Sequence, residues 1–341
     1  MNLTKILVTG GAGYIGSHTI IELVESGRYN VISADNFSNS TPDTFDKIES
    51  ITGSKIINYN VDLCDLDSTK RIFSENPDIK GIIHFAAFKS VPDSIANPDI
   101  YHQNNMESLK NILECLKLFS VPHLIFSSSC SVYGSISSLP VKEDTPLNKA
   151  ESPYGLTKQL GEKLIAEFSK NNPQISSIIL RYFNPVGAHI SGKIGESPIK
   201  PLTNLLPIIT RTASGKMKEL TVFGNNYDTR DGTCIRDYIH VSDIAAAHVY
   251  ALNYLIERKN NSNYSIFNLG TGRGVTILEA ILSFEKTTGI KLNYKIGARR
   301  NGDVPAVFSD STKAFTQLKW KPKFGIDQMM QSAWKWELAQ K

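Results

Sequence analysis

Residues 5–16 read KILVTGGAGYIG, and this stretch decides the fold. Lys5 leads into Ile6, Leu7, Val8 and Thr9, an apolar, partly β-branched run that stops at Gly10 and Gly11. A short apolar run with no alternation, closed by glycine, reads as a strand covered on both faces, as in a parallel sheet. The next stretch, YIGSHTIIELVESG, spaces its apolar residues at helical period and ends on a glycine. Between strand and helix, Gly11, Gly13 and Gly16 fit G-x-G-x-x-G, and Gly10, Gly13 and Gly16 fit the related G-x-x-G-x-x-G. Glycine is needed there because the backbone must turn tightly and approach a pyrophosphate closely. The helix start then offers free N–H groups and the positive end of its dipole.

Working outward, NVISADN reads as a second strand ending at Asp35, 19 residues after Gly16. A carboxylate at that place accepts hydrogen bonds from ribose 2′- and 3′-hydroxyls and repels a 2′-phosphate, which favours NAD over NADP. Asp62, ending KIINYNVD, is placed to hold an adenine amino group. The alternation continues through DSTKRIFSEN, GIIHFAA, a helical stretch from Tyr101 to Phe119, HLIFSSS, SPYGLTKQLGEKLIAEFSK and SSIILRYFN. Strands alternating with helices predict an α/β fold, a Rossmann-type doubly wound parallel sheet. After Asn184 the texture changes to Gly, Pro, Asn and Ser with shorter periodic pieces. The boundary expected here separates a nucleotide-binding domain, residues 1–184, from a smaller mixed α/β domain, residues 185–341. DYIHVSDIAAAHVYALNYL reads as a helix, and residues from about 236 to 256 are expected to cross back to the first domain.

Composition narrows the class. Of 341 residues, 41% are apolar, enough for a sizeable core, and no run of about 18 apolar residues offers a membrane span. The N-terminal MNLTKILVTGG reads as a first strand rather than a signal peptide. Net charge is +4 with dispersed charges, so no basic stripe points to nucleic acid. Cys64, Cys115, Cys130 and Cys234 have no C-x-x-C spacing, which predicts free thiols in a reducing cytosol and no metal site.

Residues 152–158 read SPYGLTK, with Ser152 as N-cap and Pro153 in the first turn of a helix. Tyr154 and Lys158 are four apart and share a face. A phenol has a reference pKa of roughly 10. The ammonium, the helix N-terminus and a nearby cationic nicotinamide are each expected to lower it, making Tyr154 a general base. Y-x-x-x-K alone is a weak signal. Its context is the glycine turn upstream and a strand, HLIFSSS, that ends in hydroxyls where open α/β sheets bind ligands. Ser129, and less directly Ser131, can bond a substrate hydroxyl and the phenol.

Together TGGAGYIGSH, HFAAFKSV, FSSSCSVYG, SPYGLTK, LRYFNPVGAH and RDYIHVSD resemble the extended short-chain dehydrogenase/reductases, in their sugar-nucleotide epimerase branch. The resemblance covers roughly residues 4–336. It implies interconversion of UDP-galactose and UDP-glucose through a transient 4-keto sugar, with tightly bound NAD and no metal. Tyr154 would move the 4-hydroxyl proton, Lys158 would bind the nicotinamide ribose, and Ser129 would bridge the 4-oxygen and the phenol. The resemblance places Gly10, Gly13, Tyr14, Ile15, Asp35, Asn36, Asp62, Leu63, Phe85, Ala86, Lys89, Asn104 and Tyr182 with Tyr154 and Lys158 at the cofactor. HFAAFKSV departs from the more usual HFAGLK at Ala87 and Phe88, and Ser131 stands where threonine is common.

The second domain would bind the UDP-sugar. Asn184 would face the diphosphate, Asn204 and Leu205 the nucleotide, and Thr221, Val222 and Phe223 the uracil. Arg236, Arg300 and Asp303 would hold pyrophosphate and ribose, the arginine fork matching phosphate oxygens. Val307 is small where some relatives carry tyrosine, which implies room for a 2-acetamido group and so for N-acetylhexosamines. Nearby alternatives are a uronate or pentose 4-epimerase and a sugar-nucleotide 4,6-dehydratase. The dehydratase needs an acid–base pair, usually Asp-Glu just after the strand serine, and Ser129-Cys130-Ser131-Val132 carries no carboxylate. The resemblance also implies a homodimer through the helices at Tyr101–Phe119 and Pro153–Lys170.

Overall fold

The computed structural model describes residues 3–136, 138–197, 202, 204–300 and 303–340. Strand β1 (Thr4–Thr9) buries Ile6, Leu7 and Val8 completely, as its unbroken apolar run predicts. It pairs in parallel with β2 (Tyr29–Ala34) on one side and β4 (Ile79–His84) on the other. β2 pairs with β3 (Ile57–Tyr59), and β4 with β5 (His123–Ser129), again in parallel. With β6 (Ser176–Tyr182) and the strand Tyr264–Leu269 they form a seven-stranded parallel sheet, flanked by helices in the Rossmann manner. The order runs from Tyr264–Leu269 through β6, β5, β4, β1 and β2 to β3. The chain therefore reverses its direction of travel between β1 and β4. That switch point is where open α/β sheets bind ligands, beyond the strands' carboxyl ends.

The chain divides into two compact units. The first comprises Met1–Gly134, Pro146–Arg181 and Ala245–Phe267. Its core packs Leu7, Ile32, Ile82, Leu124 and Phe126 of the sheet against Leu109, Ile112 and Leu116 of the helix Pro98–Leu118 and Ile165 of the helix Pro153–Asn171. The second comprises Ser135–Thr145, Tyr182–Ile244 and Asn268–Lys341. Here the strand Ile235–His240 pairs in parallel with Asn184–Val186 and Ala306–Val307 and antiparallel with Gly274–Thr276. A two-stranded parallel sheet joins Leu220–Phe223 to Tyr294–Gly297.

One sequence expectation is corrected here. The stretch 237–255 reads as one helix, yet Ile235–His240 is a strand and the helix begins at Val241. Tertiary contacts override helical propensity. Asp237, fully buried, accepts from Thr271 N (2.8 Å), Gly272 N (3.1 Å) and Ser309 N (3.0 Å), fixing its backbone between neighbouring strands.

Candidate active site

The glycine turn joins β1 to helix α1 (Tyr14–Glu25) at the switch point. Gly10 has φ +70°, and a Cβ there would stand 2.8 Å from Ala86 N, so glycine is required twice over. A Cβ on Gly16 would lie 2.2 Å from Gly10 O, so the first helical turn can seat on the loop only without a side chain. Gly13, the N-cap, contributes no side-chain cap, and the first turn carries no acid. The helix's N-terminal donors and dipole are thus directed at the turn, the arrangement that receives a pyrophosphate. Asp35 follows β2, and its carboxylate accepts from Ala12 N, Phe37 N and Ser40 Oγ, each at 2.9 Å. It braces the glycine turn as well as standing where a ribose would be read.

Phe85 and Ala86 follow β4 and are bonded to Thr9, by Phe85 N to Thr9 O (3.1 Å) and Ala86 N to Thr9 Oγ1 (3.4 Å). The Lys89 ammonium sits 5.6 Å from the centre of the Tyr14 ring. Asn104 donates to Asn105 Oδ1 (3.0 Å), and Asp62 Oδ1 accepts from Cys64 N (2.9 Å). Leu63 is buried, its carbonyl accepting from Asn111 Nδ2 at 2.8 Å. The nucleotide-turn and catalytic residues expected from sequence, other than Tyr182, all fall within the first unit.

Ser152 caps the helix Pro153–Asn171 by accepting from Gly155 N (3.1 Å), with Pro153 in the first turn as predicted. Tyr154 and Lys158 then occupy one face, with the Lys158 ammonium 5.8 Å from the Tyr154 ring centre. Ser129 ends β5, its hydroxyl near enough to the Tyr154 phenol to pull the phenol's pKa down. Its Oγ also accepts from Ser131 N (3.2 Å), which starts the short helical turn Cys130–Tyr133. Ser131 Oγ is buried with no hydrogen-bond partner among the described residues.

The electrostatics correct one expectation. The Tyr154 phenol is pushed up to about 12, not below 10, because burial outweighs the Ser129 hydroxyl that pulls it down. Lys158 brings little relief. Burial lowers the ammonium to about 8, with Glu162 opposing, and it donates to Ser127 O at 2.7 Å.

Sequence reasoning missed a stack of contacts behind Lys158. Thr9 Oγ1 lies 2.8 Å from His84 Nδ1, His84 stacks on Phe126 at 6.0 Å, and Phe126 lies 4.8 Å beneath the Lys158 ammonium. Burial drops His84 to about 3, so the ring is neutral. Asn105 was missed as well; it accepts from Phe88 N (2.8 Å) and donates to Thr157 Oγ1 (3.1 Å), tying the 87–89 loop to the catalytic helix. The signal was present as buried polar residues inside apolar runs.

The second unit holds the residues expected at a nucleotide. Arg236 donates to Val304 O (2.9 Å) and Asp303 Oδ1 (3.2 Å), so that pair is preassembled. Val307 pairs with Arg236 in register and is buried. The Arg300 guanidinium lies 4.4 Å over the Phe223 ring, which is 38% exposed. Thr221 is half-buried on the same strand. Val222 departs from expectation, since its side chain is in the core of this unit and only its backbone can meet a base. Asn204 stands at the N-cap of the helix Leu205–Ala213 without a capping side-chain bond, donating instead to Glu196 at 2.8 Å. Asn184 Oδ1 is buried with no partner among the described residues, and Tyr182 is buried at the end of β6.

A glycine cradle, a carboxylate at the end of the second strand and a Ser-Tyr-Lys set on a doubly wound sheet mark a nucleotide-dependent short-chain dehydrogenase/reductase. A family model described as GDP-mannose 4,6 dehydratase matches residues 7–333. A UDP-glucose 4-epimerase of Haemophilus influenzae is 42% identical over 97% of each chain, and one of Bacillus subtilis is 42% identical over 97% of this chain and 96% of its own. A UDP-glucose 4-epimerase of Bifidobacterium longum, solved with NAD+ and UDP, superposes with a TM-score of 0.93 at 42% identity over 99% of each chain. The chain belongs to this family and, within it, to the UDP-glucose 4-epimerases.

Proposed function

We propose that this chain inverts C4 of a UDP-hexose, interconverting UDP-glucose and UDP-galactose with bound NAD. The observation that carries the reading is the Ser129–Tyr154–Lys158 set below an uncapped helix start, in a chain 42% identical along its length to UDP-glucose 4-epimerases. The glycine turn with Tyr14 and Ile15 would hold the pyrophosphate of NAD. Asp35 and Asn36 would hold its ribose, Asp62 and Leu63 its adenine. Phe85, Ala86, Lys89, Asn104, Lys158 and Tyr182 would line the nicotinamide half. When bound, NAD supplies reversible acceptance of a hydride. Tyr154 takes the proton of the 4-hydroxyl as C4 is oxidised and returns it after the keto sugar has turned its other face. Ser129 holds the 4-oxygen, and Lys158 holds the nicotinamide ribose. With the phenol at about 12 in the chain alone, the positive charge of oxidised nicotinamide is the remaining influence that favours the phenolate.

In this reading residues 1–184 form the NAD-binding part and 185–341 the UDP-sugar part, with the segment from about 236 to 256 crossing back; the compact units instead put residues 135–145 and 182–184 with the second part and Ala245–Phe267 with the first. Asn184, Arg236, Arg300 and Asp303 would meet the diphosphate and ribose. Asn204, Leu205, Thr221, Phe223 and the Val222 backbone would meet the uridine. Val307 is small where some relatives carry tyrosine, which would leave room for a 2-acetamido group. No helix among the described residues is long and apolar enough to cross a membrane. We place the enzyme in the cytoplasm and read it as a homodimer through the helices Pro98–Leu118 and Pro153–Asn171, on which Ile100, Leu118 and Leu156 are exposed. Light scattering should give twice 37.8 kDa, and the mass of a single chain would refute the dimer. The activity is tested by adding UDP-galactose to purified protein without added NAD. UDP-glucose should form; its absence, with NAD retained by the protein, would defeat the reading.

A further inference from the structure

Behind the Ser-Tyr-Lys set lies an ion pair that the chemistry above does not use. Glu162, one turn after Lys158, and Arg181, near the end of β6, are 4% and 2% exposed. Arg181 Nε donates to Glu162 Oε1 (3.0 Å) and a second guanidinium nitrogen to Oε2 (2.6 Å), a two-pronged pair. Each partner also bonds outside the pair. Glu162 Oε1 accepts from Ser128 Oγ at 2.5 Å. Arg181 donates to Tyr133 Oη at 2.9 Å, with its guanidinium 4.8 Å over the Tyr133 ring.

These two extra bonds bracket one segment. Ser128 and Tyr133 are the ends of residues 128–133, and between them lie Ser129, whose hydroxyl acts on the Tyr154 phenol, and Ser131, with its unspent hydroxyl. Successive strand side chains point to opposite faces. Ser128 therefore reaches back to Glu162 while Ser129 faces the phenol and the Ser127 carbonyl accepts from Lys158 (2.7 Å). Gln159 Nε2 donates to Val132 O (2.7 Å), fastening the middle of the segment to the same helix. A buried ion pair is a poor source of stability, because its desolvation offsets much of its attraction, and an apolar pair of similar volume often serves as well. Its use here is better found in what it holds.

We propose that Glu162 and Arg181 are positioning residues that pin both ends of segment 128–133, and so fix the Ser129 hydroxyl on the Tyr154 phenol and the Ser127 carbonyl under Lys158. The inference rests on the 4-epimerase reading. Catalytic hydroxyls displaced by about 1 Å cost up to a hundred-fold in rate. The residues placed at the UDP portion lie outside this segment, so the effect is expected on kcat.

The variants Ser128→Ala and Tyr133→Phe each remove one pin and change no charge, whereas Glu162→Gln strands the Arg181 charge in the interior. NAD content, unfolding temperature, kcat and KM with UDP-galactose are measured for holoenzymes of wild type, the two neutral variants and Tyr154→Phe. Each neutral variant should retain NAD and lower kcat about ten-fold, with KM changed less than two-fold. Unchanged kcat in both, with lower unfolding temperatures alone, overturns the proposal and leaves the pair a fold element. A fall in kcat matched by lost NAD or by a proportional rise in KM overturns it too. Wild type without turnover, or Tyr154→Phe at full rate, overturns the underlying catalytic reading and the proposal with it.

Discussion

Replacing Lys158 by methionine should make the nucleotide-free chain more stable at pH 7 while abolishing its activity. Lys158 is 4% exposed, and burial brings its ammonium from 10.5 to about 8. At about 1.4 kcal/mol per pH unit, that corresponds to roughly 3 kcal/mol of destabilisation while the amine is charged in both folded and unfolded chains. Methionine keeps the length and loses the charge. It also leaves Ser127 O without the 2.7 Å bond, at a cost of about 1–2 kcal/mol. The variant should therefore be more stable by about 1–2 kcal/mol at pH 7. The sign follows from proton counting. Between pH 8 and 10.5 the unfolded lysine binds more protons than the folded one, so wild-type stability from this group rises with pH, whereas the methionine chain has no such dependence. Urea denaturation of both chains at pH 7, 8, 9 and 10 reads the difference, and titrations common to both cancel. Wild type should gain about 2 kcal/mol by pH 10, enough to close the gap or reverse it. A gap flat across this range, or a variant less stable at pH 7, would refute the claim that Lys158 is held at a desolvation cost. The sacrifice of stability for a placed cation is the trade-off expected of a functional site.

Other consequences concern space. Gly16→Ala puts a Cβ 2.2 Å from Gly10 O, a backbone atom, so α1 must shift by about 1 Å. Overpacking of this kind costs about 1–3 kcal/mol, and the purified variant should carry less NAD; full NAD at wild-type stability would contradict the cradle. Wild type should turn over UDP-GlcNAc, and Val307→Tyr should remove that activity while sparing UDP-glucose. Undetectable UDP-GlcNAc turnover beside good UDP-glucose turnover would sink the hexosamine reading.

The doubly wound sheet was legible because its signal is local. The KILVT run, the glycines after it and Asp35 lie within one βαβ unit, and each obeys rules of backbone geometry alone. The N-cap Ser152 with Pro153 was readable for the same reason. The strand at 235–240 was not, because Asp237 is held by Thr271, Gly272 and Ser309, distant in sequence, and those contacts override a helical pattern. The Tyr154 phenol was misjudged because spacing shows a nearby cation but not how much water burial removes. The stack Thr9–His84–Phe126–Lys158 needs three strands and a helix in place before it exists. Val222 shows the converse: the motif LTVF places it beside Phe223, but strand alternation sends its side chain into the core.

The most direct measurement is turnover of UDP-galactose by purified wild type and Tyr154→Phe, both without added NAD. Wild type should produce UDP-glucose, showing reaction and retained cofactor at once. Tyr154→Phe should keep its fold and NAD and lose at least about a hundred-fold in rate, the contribution of a placed general base. Full rate in that variant would contradict the assignment of Tyr154 on which the account stands.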